Sequence, residues 1–213
     1  MKRNYSNSDF SSANLKEALF NYAGLENVNF SSSNLYDAYF ISATLSGANF
    51  SGANVQRADF TNTTQSGFTA NQLYSTASYA QGNLQYMSFQ SNTMTGWNFS
   101  GKDLTRTDFS LASLVNSDFR NATLTNSRFY YSDLSGVDFR GSTGLSYGSS
   151  TTNNTILADG SIAGGSLNLS GSSSSFIVRP SNTAAITVSA SEACPTERLL
   201  FIKTFQRKTQ TQK

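Results

Sequence analysis

The stretch Phe50-Ser51-Gly52-Ala53-Asn54-Val55-Gln56-Arg57-Ala58-Asp59-Phe60 is two copies of one five-residue phrase and the start of a third. Each copy reads large apolar residue, two polar or turn-forming residues, Ala, then Asn or Asp. Going backward, Phe and Leu alternate on the beat through Leu45, Phe40, Leu35, Phe30, Leu25, Phe20 and Leu15 to Phe10. Going forward, the beat breaks after Phe60. It resumes one register over at Leu84, Phe89, Met94 and Phe99 and runs on to Leu134 and Phe139. A fixed internal period decides architecture before any local propensity is consulted.

Five residues match neither the 3.6 period of a helix nor the 2 of a strand. The chain must therefore turn a corner every five residues. Two before each beat of the first block lies a small residue, as at Ala13, Ala18, Ala38, Ala43, Ala48, Ala53 and Ala58, with Val28, Ser8 and Ser33 as variants. One large and one small side chain point inward per unit, two apart, as along a short strand. Ser, Thr, Asn, Asp and Gly fill the corners, where tight turns and solvent suit them. Four corners close a coil of twenty residues, so Phe10, Phe30 and Phe50 should stack on one side and Phe20, Phe40 and Phe60 opposite.

The triplets Ala13-Asn14-Leu15, Ala48-Asn49-Phe50 and Ala58-Asp59-Phe60 in tandem resemble the pentapeptide-repeat family. The resemblance covers residues 8–60 and 82–139. It implies an all-β fold, a right-handed quadrilateral β-helix over residues 1–145. Gly67-Phe68-Thr69, Gly96-Trp97-Asn98-Phe99 and residues 155–164 further resemble a bacterial subgroup whose members are often longer, exported and uncharacterised. Unlike members of that subgroup, these residues are expected to include no leader, no further β portion and no apolar tail.

Residues 61–83 interrupt the beat. Thr69-Ala70-Asn71-Gln72 reads as a capping box, which predicts one or two helical turns bulging from the coil wall. The next small-residue positions hold Met87, Asn92, Trp97 and Lys102, too large for a narrow interior. They are expected to turn outward, with Met87 or Trp97 packing beneath the inserted helix. From Ser146 the pentad disappears. A small β-rich cap is expected over 146–190, opening with a hairpin turned at Asp159-Gly160; a basic, disordered tail is expected over 191–213.

Charge narrows the function classes. The chain has 15 Lys and Arg against 13 Asp and Glu, and residues 1–145 carry nine basic and ten acidic side chains. Such a near-neutral column is no electrostatic trap for nucleic acid. Without His, a Ser–His or Cys–His nucleophile pair cannot be built. One Cys, Cys194, permits no intrachain disulfide, and with no His it excludes structural zinc. Asp9, Asp59, Asp103, Asp108, Asp118, Asp133 and Asp138 precede beats; their period places them as acceptors for turn amides rather than as catalytic pairs. Hence no catalytic residue, metal or cofactor is expected.

No apolar run is long enough to span a membrane, and Met1-Lys2-Arg3-Asn4-Tyr5 opens without a signal-peptide core. As written the chain is expected in the cytoplasm; with a native start further upstream, it is expected to be exported. Leu19 and Tyr39 lie twenty residues apart and should stack on successive coils. With Tyr22, Tyr36 and Ile41 they form an expected contact patch for a protein partner or a second copy, the alternative being scattered surface apolars. The open first coil also suggests an end-to-end homodimer. These features predict a non-enzymatic structural or protein-interaction scaffold, part of an exported or surface protein. The rival from another class is a DNA-mimicking inhibitor or protector of DNA gyrase or topoisomerase, known in the family, which needs a strongly acidic column.

Overall fold

In a regular pentad every amide finds a partner, and that accounting builds the coil. In the computed structural model, which describes residues 3–163, the unit 30–34 shows the rule. Phe30 N–H donates to the Asn49 carbonyl one coil on (2.8 Å), and Ser32 N–H to the Ser51 carbonyl (2.8 Å). Ser33 N–H closes the corner onto the Phe30 carbonyl (3.1 Å), while Asn34 N–H reaches back one coil to the Ala13 carbonyl (2.9 Å). The remaining amide, of Ser31, donates to Asn29 Oδ1 (3.1 Å). Buried backbone groups must be paired, and here a side chain supplies the fifth acceptor. That is why Asn or Asp so often precedes the beat.

Four ladders of parallel bridges result, with partners twenty residues apart: Asp9–Asn29–Asn49, Asn14–Asn34–Asn54, Leu19–Tyr39–Asp59 and Asn4–Gly24–Thr44. Each ladder is one side of the coil. Inside, Phe rings stack within two columns: Phe20 on Phe40 at 5.3 Å, Phe40 on Phe60 at 4.9 Å, and Phe30 on Phe50 at 5.2 Å. Between columns the rings meet edge to face, as Phe30 and Phe40 do at 5.8 Å and 82°. Both geometries are favourable for aromatic quadrupoles.

The insertion holds three short helical pieces: a 3-10 turn, Thr64–Ser66, then α1, Ala70–Tyr74, and α2, Ala77–Ala80. Thr69 and Gln72 form the capping box. Gln72 Nε2 also donates to the Leu45 and Ala48 carbonyls (2.7 and 2.8 Å), tying α1 to the coil. Phe68 and Leu73 join the core, and Phe68 stacks on Phe60 at 4.4 Å. One ladder crosses the insertion unbroken: Asp59 bridges Ser88, 29 residues on instead of 20. The insertion therefore adds nine residues to one coil and leaves that side regular.

The oversized residues after the insertion do not point to solvent as expected. Met87, Asn92 and Trp97 are buried. Asn92 acts as a surrogate backbone where the 3-10 turn departs: its Oδ1 accepts from Thr63 and Thr64 N–H (2.8 and 2.9 Å), and its Nδ2 donates to the Phe60 carbonyl (2.8 Å). Trp97 packs against Phe68 (5.9 Å) and against Tyr74 of α1 (6.4 Å). Lys102 is half-buried, with its Nζ 4.0 Å from the Tyr79 ring centroid; burial lowers its pKa.

Coil pairing also continues past the last clear pentad, since Asp133 bridges Thr151 and Asp138 bridges Ile156. Backbone ladders need no particular side chain, so they outlast the sequence period. Ile156 then pairs antiparallel with Ile162 around Asp159 and Gly160. Of the expected cap over 146–190, the part beyond 163 lies outside the described residues, as does the tail 191–213.

At each corner the second residue after the beat has positive φ. Asn, Ser and Gly dominate there, being the residues that best tolerate the left-handed region. Tyr22, Tyr86, Leu111 and Tyr131 also occupy it, at φ 60°, 59°, 61° and 57°, although all four are exposed.

Three outcomes follow from this architecture. Phe40→Ala, removing a fully buried ring from mid-column, should cost about 3–5 kcal/mol in denaturant titration. Leu111→Gly should raise stability by about 0.5–1 kcal/mol, because relief of left-handed strain outweighs the added chain entropy. The third concerns pH. Burial first, then the neighbouring Tyr74 and Asp118, push the Tyr79 phenol up to about 12. Below the ordinary tyrosine value of about 10 both folded and unfolded chains keep this proton. Between there and about 12 the unfolded chain loses it first, so stability should fall as pH rises through that window. Fluorescence of Trp97, the sole tryptophan, should report the loss of structure around the insertion at correspondingly lower denaturant.

Candidate functional site

The carboxylates that precede beats are engaged in turn chemistry. Asp9, Asp59, Asp103, Asp108, Asp118, Asp133 and Asp138 each accept from the backbone amide two residues on, at 2.9–3.1 Å. At the far end Asp118, Arg120, Asp138 and Arg140 form a largely buried ion network, with Arg140 Nη2 2.6 Å from Asp138 Oδ2 and Arg120 Nη2 2.9 Å from Asp118 Oδ2. Asp118 and Asp138 bridge each other in the ladder. The pairing neutralises charges that the coil stacks together. Among the described residues, no cluster of His, Cys, Asp or Glu could hold a metal ion, and no helix is long and apolar enough to cross a membrane.

The distribution of exposed apolar side chains is what sets one region apart. Among the described residues the large exposed hydrophobic ones are Leu19, Tyr22, Tyr86, Leu111, Tyr130 and Tyr131. All six fall on one side of the coil: the unbroken ladder Leu19–Tyr39–Asp59–Ser88–Asp108–Arg128, or one of its two corners. Scattered surface apolars are ordinary, but six confined to one side of four form a pattern.

Two positions of the central ladder forgo the local hydrogen-bond rule. Leu19 and Tyr39 stand where Asn or Asp would cap the amide two residues on. Ile41 N–H instead donates to Asn21 Oδ1 from the previous coil (3.1 Å). Leu19 is 60% exposed, so no packing repays the missing acceptor.

The first corner of this face is a cation–aromatic ladder. Lys16 Nζ lies 5.5 Å from the Tyr36 ring centroid. Arg57 lies between Tyr36 (5.7 Å) and Tyr86 (5.0 Å), and Arg106 is 5.5 Å from Tyr86. Asp37 Oδ1 is 3.6 Å from Arg57 Nε. The second corner carries Tyr22 and Ile41 at one end and Leu111, Tyr130 and Tyr131 at the other, with polar residues such as Thr61, Asn62, Gln90 and Ser91 between.

The sequence-derived patch is placed as follows. Leu19 and Tyr39 are bridge partners on the central ladder. Tyr36 lies at the first corner, and Tyr22 and Ile41 at the second. Tyr22 is exposed, whereas Tyr36, Tyr39 and Ile41 are half-buried. Sequence reasoning missed Tyr86, Leu111, Tyr130 and Tyr131. Their membership becomes legible only once the step across the insertion is known to be 29 residues; counting twenties from Tyr22 stops at Asn62.

A family model of the repeat agrees with this architecture. The model of pentapeptide repeats matches in eight copies, over residues 8–47, 23–62 and 103–141. No curated protein sequence matches significantly. Among solved structures, HetL, a pentapeptide repeat protein involved in heterocyst differentiation regulation from the cyanobacterium Nostoc sp. strain PCC 7120, is 20% identical. It aligns over 76% of this chain and 73% of its own, with a TM-score of 0.32. Full-length QnrB1, a plasmid-mediated fluoroquinolone resistance protein, is 14% identical over 73% of this chain and 82% of its own, with a TM-score of 0.30. Rfr23 from the cyanobacterium Cyanothece 51142 is 16% identical over 70% and 84%, with a TM-score of 0.25. With the tandem pentads, the twenty-residue ladders and the matching repeat model in agreement, the chain belongs to the pentapeptide-repeat family.

Proposed function

We propose that this protein is a non-enzymatic protein-interaction scaffold whose binding surface is the unbroken ladder and its two corners. One observation carries the reading: every large exposed hydrophobic residue among those described borders that one side. The fold supports it, because a four-ladder coil, which we read as the right-handed quadrilateral β-helix of the family, holds side chains in straight rows about 4.8 Å apart. A partner would meet a rigid, pre-ordered surface, which lowers the entropic cost of binding. Leu19, Tyr22, Tyr36, Tyr39 and Ile41 would provide one end of the contact, and Leu111, Tyr130 and Tyr131 the other. Tyrosines and arginines beside one another are typical of interface anchors. Placement of the chain within an exported or surface protein rests on the subgroup resemblance.

The gyrase-directed alternative needs a dense acidic surface to imitate duplex DNA. Here nine basic side chains offset ten acidic ones over residues 1–145, and the first corner is cationic at Lys16, Arg57 and Arg106. A supercoiling assay with micromolar protein should therefore show no inhibition of gyrase.

The scaffold reading is tested with a photo-crosslinking amino acid placed at Tyr86 and, as a control, at Asn49 on the opposite ladder. In native cells the first position should give a discrete heavier adduct that the second does not. Adducts of equal yield at both positions, or none at Tyr86, would refute the assignment of the face.

A further inference from the structure

We infer that the same face binds a second copy of the chain in a lengthwise, antiparallel two-fold dimer. The inference rests on the scaffold reading of this face and names the partner. A face can meet its own copy through a two-fold axis lying in the contact plane. Such an axis runs either along the coil stack or across it, and an isologous contact must satisfy both partners at once. Charge placement distinguishes the two.

With the axis along the stack, each residue of the central ladder would face its own counterpart. Asp59 would meet Asp59, and the exposed Arg128 would meet Arg128; Asp108 is only 13% exposed and already lies 3.6 Å from Arg128 in its own copy. Like charges in contact are strongly penalised. With the axis across the stack, between the coils of Asp59 and Ser88, each row meets itself reversed. The first of six coils then faces the sixth, the second faces the fifth, and the third faces the fourth. Asp59 now meets Ser88, Asp108 meets the phenol of Tyr39, and Arg128 meets Leu19, whose surface suits its aliphatic stem. No like charges are opposed on the ladder.

The corners favour the same arrangement. On the first corner, Asp37 lies on the second coil and Arg106 on the fifth, so each copy places one opposite the other, twice over. Arg106 makes no ion pair within the described residues, and its guanidinium is already oriented over Tyr86. On the third and fourth coils, Arg57 of one copy meets Tyr86 of the other, extending the cation–aromatic ladder across the contact. On the second corner Tyr22, on the first coil, meets Tyr131, on the sixth. These are the two most exposed tyrosines of the face, at 63% and 73%. Both hold the left-handed conformation at a cost that burial in the monomer does not offset.

The uninterrupted ladder gives this arrangement its register. Six coils at about 4.8 Å make a straight contact roughly 24 Å long, and the nine extra residues emerge on other sides. A contact of this size suits a reversible dimer rather than a permanent one.

Sedimentation equilibrium of the full chain, run from micromolar to submillimolar concentration, tests the proposal. A monomer–dimer equilibrium is expected. Asp37→Arg alone and Arg106→Asp alone should each weaken it by about tenfold or more, because each opposes like charges twice. The double variant D37R/R106D should restore it. Y131N, which replaces a strained residue with one suited to the corner, should weaken dimerisation while leaving the thermal unfolding midpoint unchanged or higher. A monomer at all concentrations would overturn the proposal. A dimer indifferent to both single charge reversals would place the contact elsewhere, as in an end-to-end pairing, and would equally overturn it. Singles that weaken without rescue in the double would reject the antiparallel register. Failure of self-association with a surviving Tyr86 crosslink to a different protein would leave the scaffold reading intact and remove only the second copy as partner.

Discussion

Two columns of phenylalanine rings, stacked along the axis and edge to face across it, set the interior width of this protein. Each coil admits one large side chain per side and a small one beside it. The backbone must therefore turn at a fixed interval, and its amides can be satisfied only by neighbouring coils, by corner turns and by Asn or Asp side chains. The polar exterior follows from the same constraint. What looks like a surface rich in functional carboxylates and amides is largely the hydrogen-bond complement of the corners. Because each coil answers mainly to its neighbours, stability is distributed along the column rather than concentrated in one nucleus.

That logic also identifies what the fold does not require. Leu19 and Tyr39 replace side chains that would have capped an amide. Tyr22, Leu111 and Tyr131 hold a conformation that Asn, Ser or Gly would adopt more cheaply. None is buried enough for packing to explain it, and all fall on one side. A repeat protein has few ways to mark a functional surface except by departing from its own repeat, and these departures coincide in space though they lie more than a hundred residues apart in sequence.

Much of the fold was legible in advance because its cause is periodic. Phe10 to Phe60 gave the coil length, the column assignment and the corner chemistry, and Thr69 with Gln72 announced the helical insertion. Asn92 was misread for a physical reason. Its position normally holds a small apolar residue, and nothing local reveals that the coil opposite has lost the backbone groups Asn92 replaces. The face was only half visible for a related reason. Lys16, Tyr36, Arg57, Tyr86 and Arg106 form one ladder, but the step from Arg57 to Tyr86 is set by how many residues the insertion adds to its coil. Residues 164–213 lie outside the described part of the chain, so the expected strands there and the basic tail stay as sequence expectations.

Three of the four ladders stop at the insertion, and one crosses it. In mechanical terms the column is two blocks joined along one continuous seam, with Asn92, the Phe68–Trp97 contact and the bonds of Tyr74 and Tyr79 to Asn98 as stitches beside it. Bending would concentrate at that level and open on the side away from the seam. The unbroken ladder would act as the hinge line, the surface whose length changes least. A partner held along it would stay in register while the rest of the molecule flexed, whereas one bound to any other side would straddle the joint.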